Sequence, residues 1–365
     1  SYAAPLTPRP ERRRRSRLRL GCLLVLFLLL AGELVVRVFH LVDVSAGAAT
    51  PEQAQFNAAD MFVADGDAAI SYRNRPGARA SIAGVEYVHD ERGFRVLPAP
   101  AAGATATVAF LGDSTCYGLG LRAEDTLPAQ VQAALGGAIR ALDLGVCGYG
   151  TSQEAALYEA ERPALHDARL VVLLVFPNDF APGTFLWDDG LRVMYVDPLP
   201  LPRAVKPLLW RSALYRALVS WRGAAARQRG DFDATRPGNE ASCLAAVERL
   251  AAAVRADGKT LLVAHLPAME RLDPYMFERP VAALRAQCER LGVAYVDLLE
   301  PFLAERERQA AEFEKKSGQK VSAELRAGFL SQYWIVDPSD HHLNAKANGV
   351  AARGLSEAVR KALGG

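Results

Sequence analysis

Histidine and cysteine are scarce, six and five in 365 residues. Neither recurs at the short intervals that build a zinc site, and the one dense cluster, Asp340-His341-His342, has no Cys or further His spaced to complete a metal set. No metal is therefore expected, and the motifs described below imply no organic cofactor. An excess of one charge is also lacking, since the formal net charge is only +2. Even that is local. Residues 1–44 hold eight arginines against Glu11, Glu33 and Asp43, a net of +5, so the rest of the chain carries −3. Such a body has no positive field for gripping nucleic acid, which is excluded as a partner. Internal repeats are missing as well. Half of the residues are hydrophobic, so wholesale disorder is excluded and a large core can form.

The basic excess sits where it has a topological meaning. Arg9, Arg12, Arg13, Arg14, Arg15, Arg17 and Arg19 precede an apolar run that begins at Leu20. A cleaved signal peptide is one reading, and Ala46-Gly47-Ala48 has the form of a cleavage site. That site lies well beyond the apolar run, and residues 34–42 between them stay apolar. A membrane helix needs about 20 residues, which residues 20–42 supply if Glu33 and Arg37 are tolerated. They stand four apart on one helical face and can pair near the outer end. The expectation is an uncleaved anchor with its arginines in the cytoplasm and the body outside; secretion after cleavage is the alternative.

The expected organisation is a basic tail (1–19), anchor (20–42), linker (43–69), small β-rich region (70–104) and main domain (105–365). In the main domain, apolar runs at 105–111, 139–144, 170–176, 260–266 and 294–298 alternate with helical segments. That rhythm predicts an α/β fold, a doubly wound, mostly parallel five-stranded sheet covered on both faces. Residues 180–238 interrupt it with six prolines and three tryptophans, and read as a lid-like insertion carrying a helix near 212–227.

Chemistry-bearing residues fall at the ends of these strands, where open parallel sheets place their ligands. Gly112-Asp113-Ser114-Thr115 follows the first, Gly148 the second, Asn178-Asp179 the third, and Asp340 with His342 stands near the C-terminus. Singly, each has an ordinary reading: a helix cap for Ser114, a turn for Gly148. Their order resembles the SGNH (GDSL-type) hydrolases, named for Ser, Gly, Asn and His, over roughly residues 105–362. Asp90-Glu91-Arg92-Gly93-Phe94-Arg95 is similar to an Asn-x-x-Gly-Phe-Arg element ahead of the Gly-Asp-Ser in many membrane-anchored bacterial members.

The resemblance implies a flavodoxin-like three-layer fold and a serine nucleophile, Ser114. It implies an oxyanion hole from the Ser114 and Gly148 N–H groups and the Asn178 amide. Asp113 is expected to bond loop amides. The family commonly has a glycine two residues before the asparagine, where this chain has Phe176, and spaces its Asp and His three apart, which nothing here matches. In an extended segment residues two apart share a face, so Asp340 can orient His342 while His341 points away. The expected triad is Ser114, His342 and Asp340, with Asp337 structural. Among the remaining histidines, His265 ends a strand and is a candidate substrate contact.

Cys116 and Cys147 flank the site on neighbouring loops, and either a disulfide or two small buried thiols fits them. The implied function is a serine esterase of a bacterial inner membrane, periplasmic, acting through an acyl-enzyme on an acyl or O-acetyl ester of a lipid or glycan. Transfer of the acyl group to a polysaccharide hydroxyl is the first alternative and an inactive glycan-binding module the second.

Overall fold

The computed structural model describes residues 10–39, 51–181, 185–188, 192–194, 205–209, 211–230, 233–329 and 342–364. Helix α1 (Pro10–Val38) contains 22 residues, Arg17–Val38, long and apolar enough to cross a membrane, as anchors and signal sequences both are. Its Glu33 and Arg37 pair at 2.7 Å, as their spacing predicts.

Regular structure lies within the stretch read as a linker. Helix α2 (Pro51–Ala58) and strand β1 (Phe62–Ala64) lie there because Phe56, Met61 and Phe62 are buried. β1 pairs with β2 (Tyr72–Asn74), and β3 (Arg79–Ile82) with β4 (Val85–Val88), as two antiparallel hairpins. They dock on the main domain through aromatic rings. Phe56 meets Tyr87 edge-on at 4.9 Å and Tyr117 at 5.8 Å between centroids.

The main domain opens with β5 (Ala106–Leu111), α3 (Ser114–Tyr117), α4 (Leu127–Ala134), β6 (Ile139–Asp143), α5 (Thr151–Glu161) and β7 (Ala168–Val175). The insertion holds a hairpin of β8 (Leu186–Asp188) and β9 (Arg192–Met194), then α6 (Lys206–Leu209) and α7 (Ala213–Gln228). α8 (Ala241–Ala256), β10 (Thr260–His265), α9 (Glu278–Leu291), β11 (Ala294–Asp297), α10 (Leu299–Ser317), α11 (Ala323–Gly328) and α12 (Ala345–Ala362) complete the chain.

Five strands form one parallel sheet in the order β11-β10-β7-β5-β6. Every residue of β5 and nearly every one of β7 is buried, as interior strands with helices on both faces require. α4 packs with α12, and α8 with both α5 and α9, so the helices form two groups, as right-handed crossovers on opposite faces of the sheet require. The chain goes from β5 outward to β6 and then back across to β7. β5 and β7 therefore flank the point where the winding reverses, and the crevice outside their carboxyl ends is the place for a ligand.

Candidate active site

Gly112 leaves β5 so tightly that a Cβ there would stand 2.6 Å from Cys116 Cβ. Asp113 caps α3, its Oδ1 accepting from Thr115 N at 2.8 Å and Thr115 Oγ1 at 2.7 Å. Its other oxygen, Oδ2, accepts from Asn178 Nδ2 at 2.8 Å. One carboxylate thus ties the turn after β5 to the turn after β7 and aims the Asn178 amide. Asn178 itself is exposed at the crevice.

Ser114, half-buried, lies 2.8 Å from His342 Nε2 through its Oγ. The approach of the histidine is set by the helix behind it. Asn344 caps α12 by accepting from Lys346 N and Ala347 N at 3.0 and 3.1 Å, and Leu343 is buried. Gln130 and Asn348 then lash the start of α12 to the α4 side, donating to the carbonyls of Ala345 and Asp125.

Gly148 takes φ +85°, a conformation that favours glycine, in the loop after β6. Tyr72 Oη donates to Cys147 O at 2.7 Å, and Val146 N donates to Gly112 O at 3.1 Å, so this loop is fixed to the turn that carries Ser114. The insertion reaches the same loop, with Phe185 N donating to Gly148 O at 3.4 Å. Below the third turn, Asp179 accepts from Phe176 N at 2.9 Å and from Thr151 Oγ1 at 3.0 Å. These contacts hold the Asn178 turn although Phe176 replaces the usual glycine. Burial, then the charge of Asp113, pushes the Asp179 carboxyl up, and burial does the same to Glu154.

One buried group was not singled out by its own chemistry. Arg95 is almost wholly buried and its guanidinium donates to the carbonyls of Tyr117, Gly118 and Leu121, the segment that follows α3. It lies 4.8 Å from the ring centroids of both Tyr87 and Tyr117. His89 Nε2 meets Tyr117 Oη at 2.8 Å, and burial holds this imidazole down to about 4. The β-rich region therefore clamps the chain just past Ser114. The Asp90-to-Arg95 element was the available signal.

One expectation is corrected and one open choice is decided. His265 does not face the crevice: it is fully buried, with Nδ1 on Asp297 Oδ1 at 2.9 Å and Nε2 on Tyr275 Oη at 3.1 Å. Register pairing of His265 with Asp297 turns the ring into the protein. Cys116 and Cys147 form no disulfide and are free, buried thiols. Cys116 Sγ points at Asp143 Oδ1, 3.6 Å away, and burial pushes both thiols up. Asp340, His341 and Asp337 lie outside the described residues. Among the described residues no group of His, Cys, Asp and Glu is arranged to hold a metal ion.

The sequence matches the model of the GDSL-like lipase/acylhydrolase family over residues 110–346. No curated protein matches it. Among solved structures, a carbohydrate acetylesterase family member from Sinorhizobium meliloti is similar at 17% identity, over 71% of this chain and 100% of that one, with TM-score 0.38. An alpha/beta hydrolase, LAE5, from the metagenome of Lake Arreo, Spain, is similar at 15% identity over 70% and 96%, with TM-score 0.41. A catalytic mutant of Axe2, an acetylxylan esterase from Geobacillus stearothermophilus, gives 13% over 70% and 95%, with TM-score 0.40.

Proposed function

The chain belongs to the GDSL-like lipase/acylhydrolase family, and on that footing we propose that Ser114, His342 and Asp340 hydrolyse a carboxylic ester through an acyl-enzyme. The observation that carries this reading is the 2.8 Å contact between Ser114 Oγ and His342 Nε2. Nε2 takes the hydroxyl proton as Oγ attacks the ester carbonyl. The oxyanion that forms is received by the Ser114 and Gly148 N–H groups and the Asn178 amide, all on loops at one end of the sheet. His342 then gives its proton to the departing alkoxide, and water repeats the sequence to free the acid. Asp340 orients the imidazole.

The substrate proposed is an acyl or O-acetyl ester of a lipid or glycan. The N-terminal helix is read as a retained anchor in a bacterial inner membrane, with the catalytic domain in the periplasm. The contact of Phe185 with the Gly148 loop brings the insertion against the oxyanion site and favours a second reading, transfer to a sugar hydroxyl with water excluded. Incubation with p-nitrophenyl esters of graded chain length, with and without a sugar acceptor, separates the two. Hydrolysis unaffected by acceptor supports the first, and acceptor-dependent turnover the second. Turnover by Ser114→Ala equal to that of the parent would refute both.

A further inference from the structure

Helix α1 does more than lead into the protein. Its Glu33 carboxylate accepts from the backbone N–H groups of Ala213 and Leu214, each at 2.9 Å, and from Ser212 Oγ at 2.7 Å. It is the N-terminal cap of α7, supplied by a helix far away in sequence. Arg37 Nη2 adds a bond to Arg211 O at 2.7 Å. At Gly32 the helices come so close that a Cβ would stand 3.3 Å from Leu214 Cδ2. A segment destined for removal has no reason to cap a helix of the mature domain.

Beside this joint is a cavity of about 800 Å³ lined by Leu29, Leu30, Leu214, Leu218 and Trp221. We propose that it is a seat for one acyl chain of a bilayer phospholipid, held between α1 and α7 at the outer face of the membrane. Position chooses the occupant. Leu29 and Leu30 belong to the apolar span, are 52% and 62% exposed, and so stand among lipid tails wherever α1 crosses the bilayer. Leu218 and Trp221 on α7 are 44% and 67% exposed and continue that surface without a break. Trp221 has the amphipathic ring favoured at the membrane–water boundary, and the exposed Arg211 and Arg222 suit phosphate headgroups. Glu33, the one acidic group at the cavity, is engaged by the α7 cap. The catalytic domain is thereby held against the surface of the membrane by its own insertion. This rests on the anchor reading and not on the esterase reading.

Two measurements on the full chain in phosphatidylcholine vesicles test it. In the first, Trp187→Phe, Trp210→Phe and Trp334→Phe leave Trp221 as the sole tryptophan. Lipids brominated on the acyl chain are expected to cut its emission about twofold or more relative to unbrominated lipid, as for a ring at the acyl boundary. Unchanged emission overturns the acyl seat. In the second, Gly32→Cys and Leu214→Cys are combined with a protease site placed between residues 40 and 50. After mild oxidation and cleavage the two fragments should remain joined until reduced. Loss of the N-terminal fragment from the mature protein overturns the anchor reading itself. Cross-links between chains, with Trp221 unquenched, would assign the groove to a second copy and end the lipid proposal.

Discussion

Replacing Arg95 with methionine removes the clamp behind Ser114 while keeping much of the side chain's apolar volume. The guanidinium serves three carbonyls, of which Gly118 O keeps a second donor in Leu121 N at 3.0 Å. The carbonyls of Tyr117 and Leu121 lose the donor that Arg95 supplies, and a buried acceptor left unsatisfied costs about 1–3 kcal/mol. The desolvated contact with two tyrosine rings adds about 2 kcal/mol. Methionine returns part of this through its own packing, so a net loss of about 3–6 kcal/mol is expected. For a domain of this size each kcal/mol moves Tm by about 2–4 °C, which gives a fall of about 6–24 °C. Thermal unfolding of the full chain in detergent, followed by circular dichroism, reads it directly. Arg95→Lys should recover less than half of the loss, because one ammonium cannot reproduce a planar fork reaching three acceptors. At 25 °C kcat should fall more than KM rises, since the turn bearing Ser114 is displaced while the crevice survives. A Tm within about 2–3 °C of the parent, well short of the smallest fall expected, or full rescue by lysine, would refute the clamp.

Ser114→Ala should abolish both ester hydrolysis and fluorophosphonate labelling at unchanged Tm, and labelling that persists elsewhere in the chain would displace the assignment. Asn178→Ala should lower kcat by about 10²–10³ with little change in KM, the usual loss for one oxyanion donor; a purely KM effect would make Asn178 a binding group. His342→Ala should cost several orders of magnitude in kcat and His341→Ala less than tenfold, and the reverse ranking would move the base. Mass spectrometry of unreduced, unfolded protein after alkylation should show adducts on all five cysteines, and a missing pair at Cys116 and Cys147 would restore the disulfide. Burial pushes the Asp143 carboxyl from 3.8 up to about 7, against the opposing charge of Arg95. Between those values the folded state keeps a proton that the unfolded chain has released, so this group's contribution to stability falls as pH rises through the window and is level above it. His89, held down to about 4 from 6.5, has the opposite slope over its own window, so the parent's profile is partly cancelled. Asp143→Asn should therefore raise Tm at pH 8 more than at pH 5, and an equal shift at both would contradict the assignment.

What could be read from the sequence followed from local patterns with a single physical meaning. Runs such as residues 108–111 and 170–175 are apolar throughout because both faces of those strands are covered, and Ser114, Gly148 and Asn178 were found because each comes after such a run. His342 was chosen over His341 because residues two apart share a face in an extended segment, which puts it beside Asp340, and its Nε2 lies 2.8 Å from Ser114 Oγ. His265 shows where this logic stops. A strand end fixes the depth of a residue, and here Asp297 on the next strand and Tyr275 on the following loop claim both ring nitrogens. Neither partner has a signature near His265 in the chain. Cys116 and Cys147 likewise lie on adjacent loops, as their spacing suggests, yet the Cys116 thiol turns to Asp143.

The largest omissions, Arg95 and Glu33, share one cause. Each is a charged side chain whose partners are backbone atoms: carbonyls following α3 for Arg95, amides opening α7 for Glu33. Backbone groups are identical at every residue, so a sequence cannot show which of them stand unpaired and aligned to receive a charge. It can show only that a charge is present where an apolar residue would cost less. Glu33 in a membrane-length helix and Arg95 beside buried aromatics were both such anomalies. Each was a long-range tether: one holds the insertion to helix α1, the other holds the Ser114 turn to the β-rich region that precedes it.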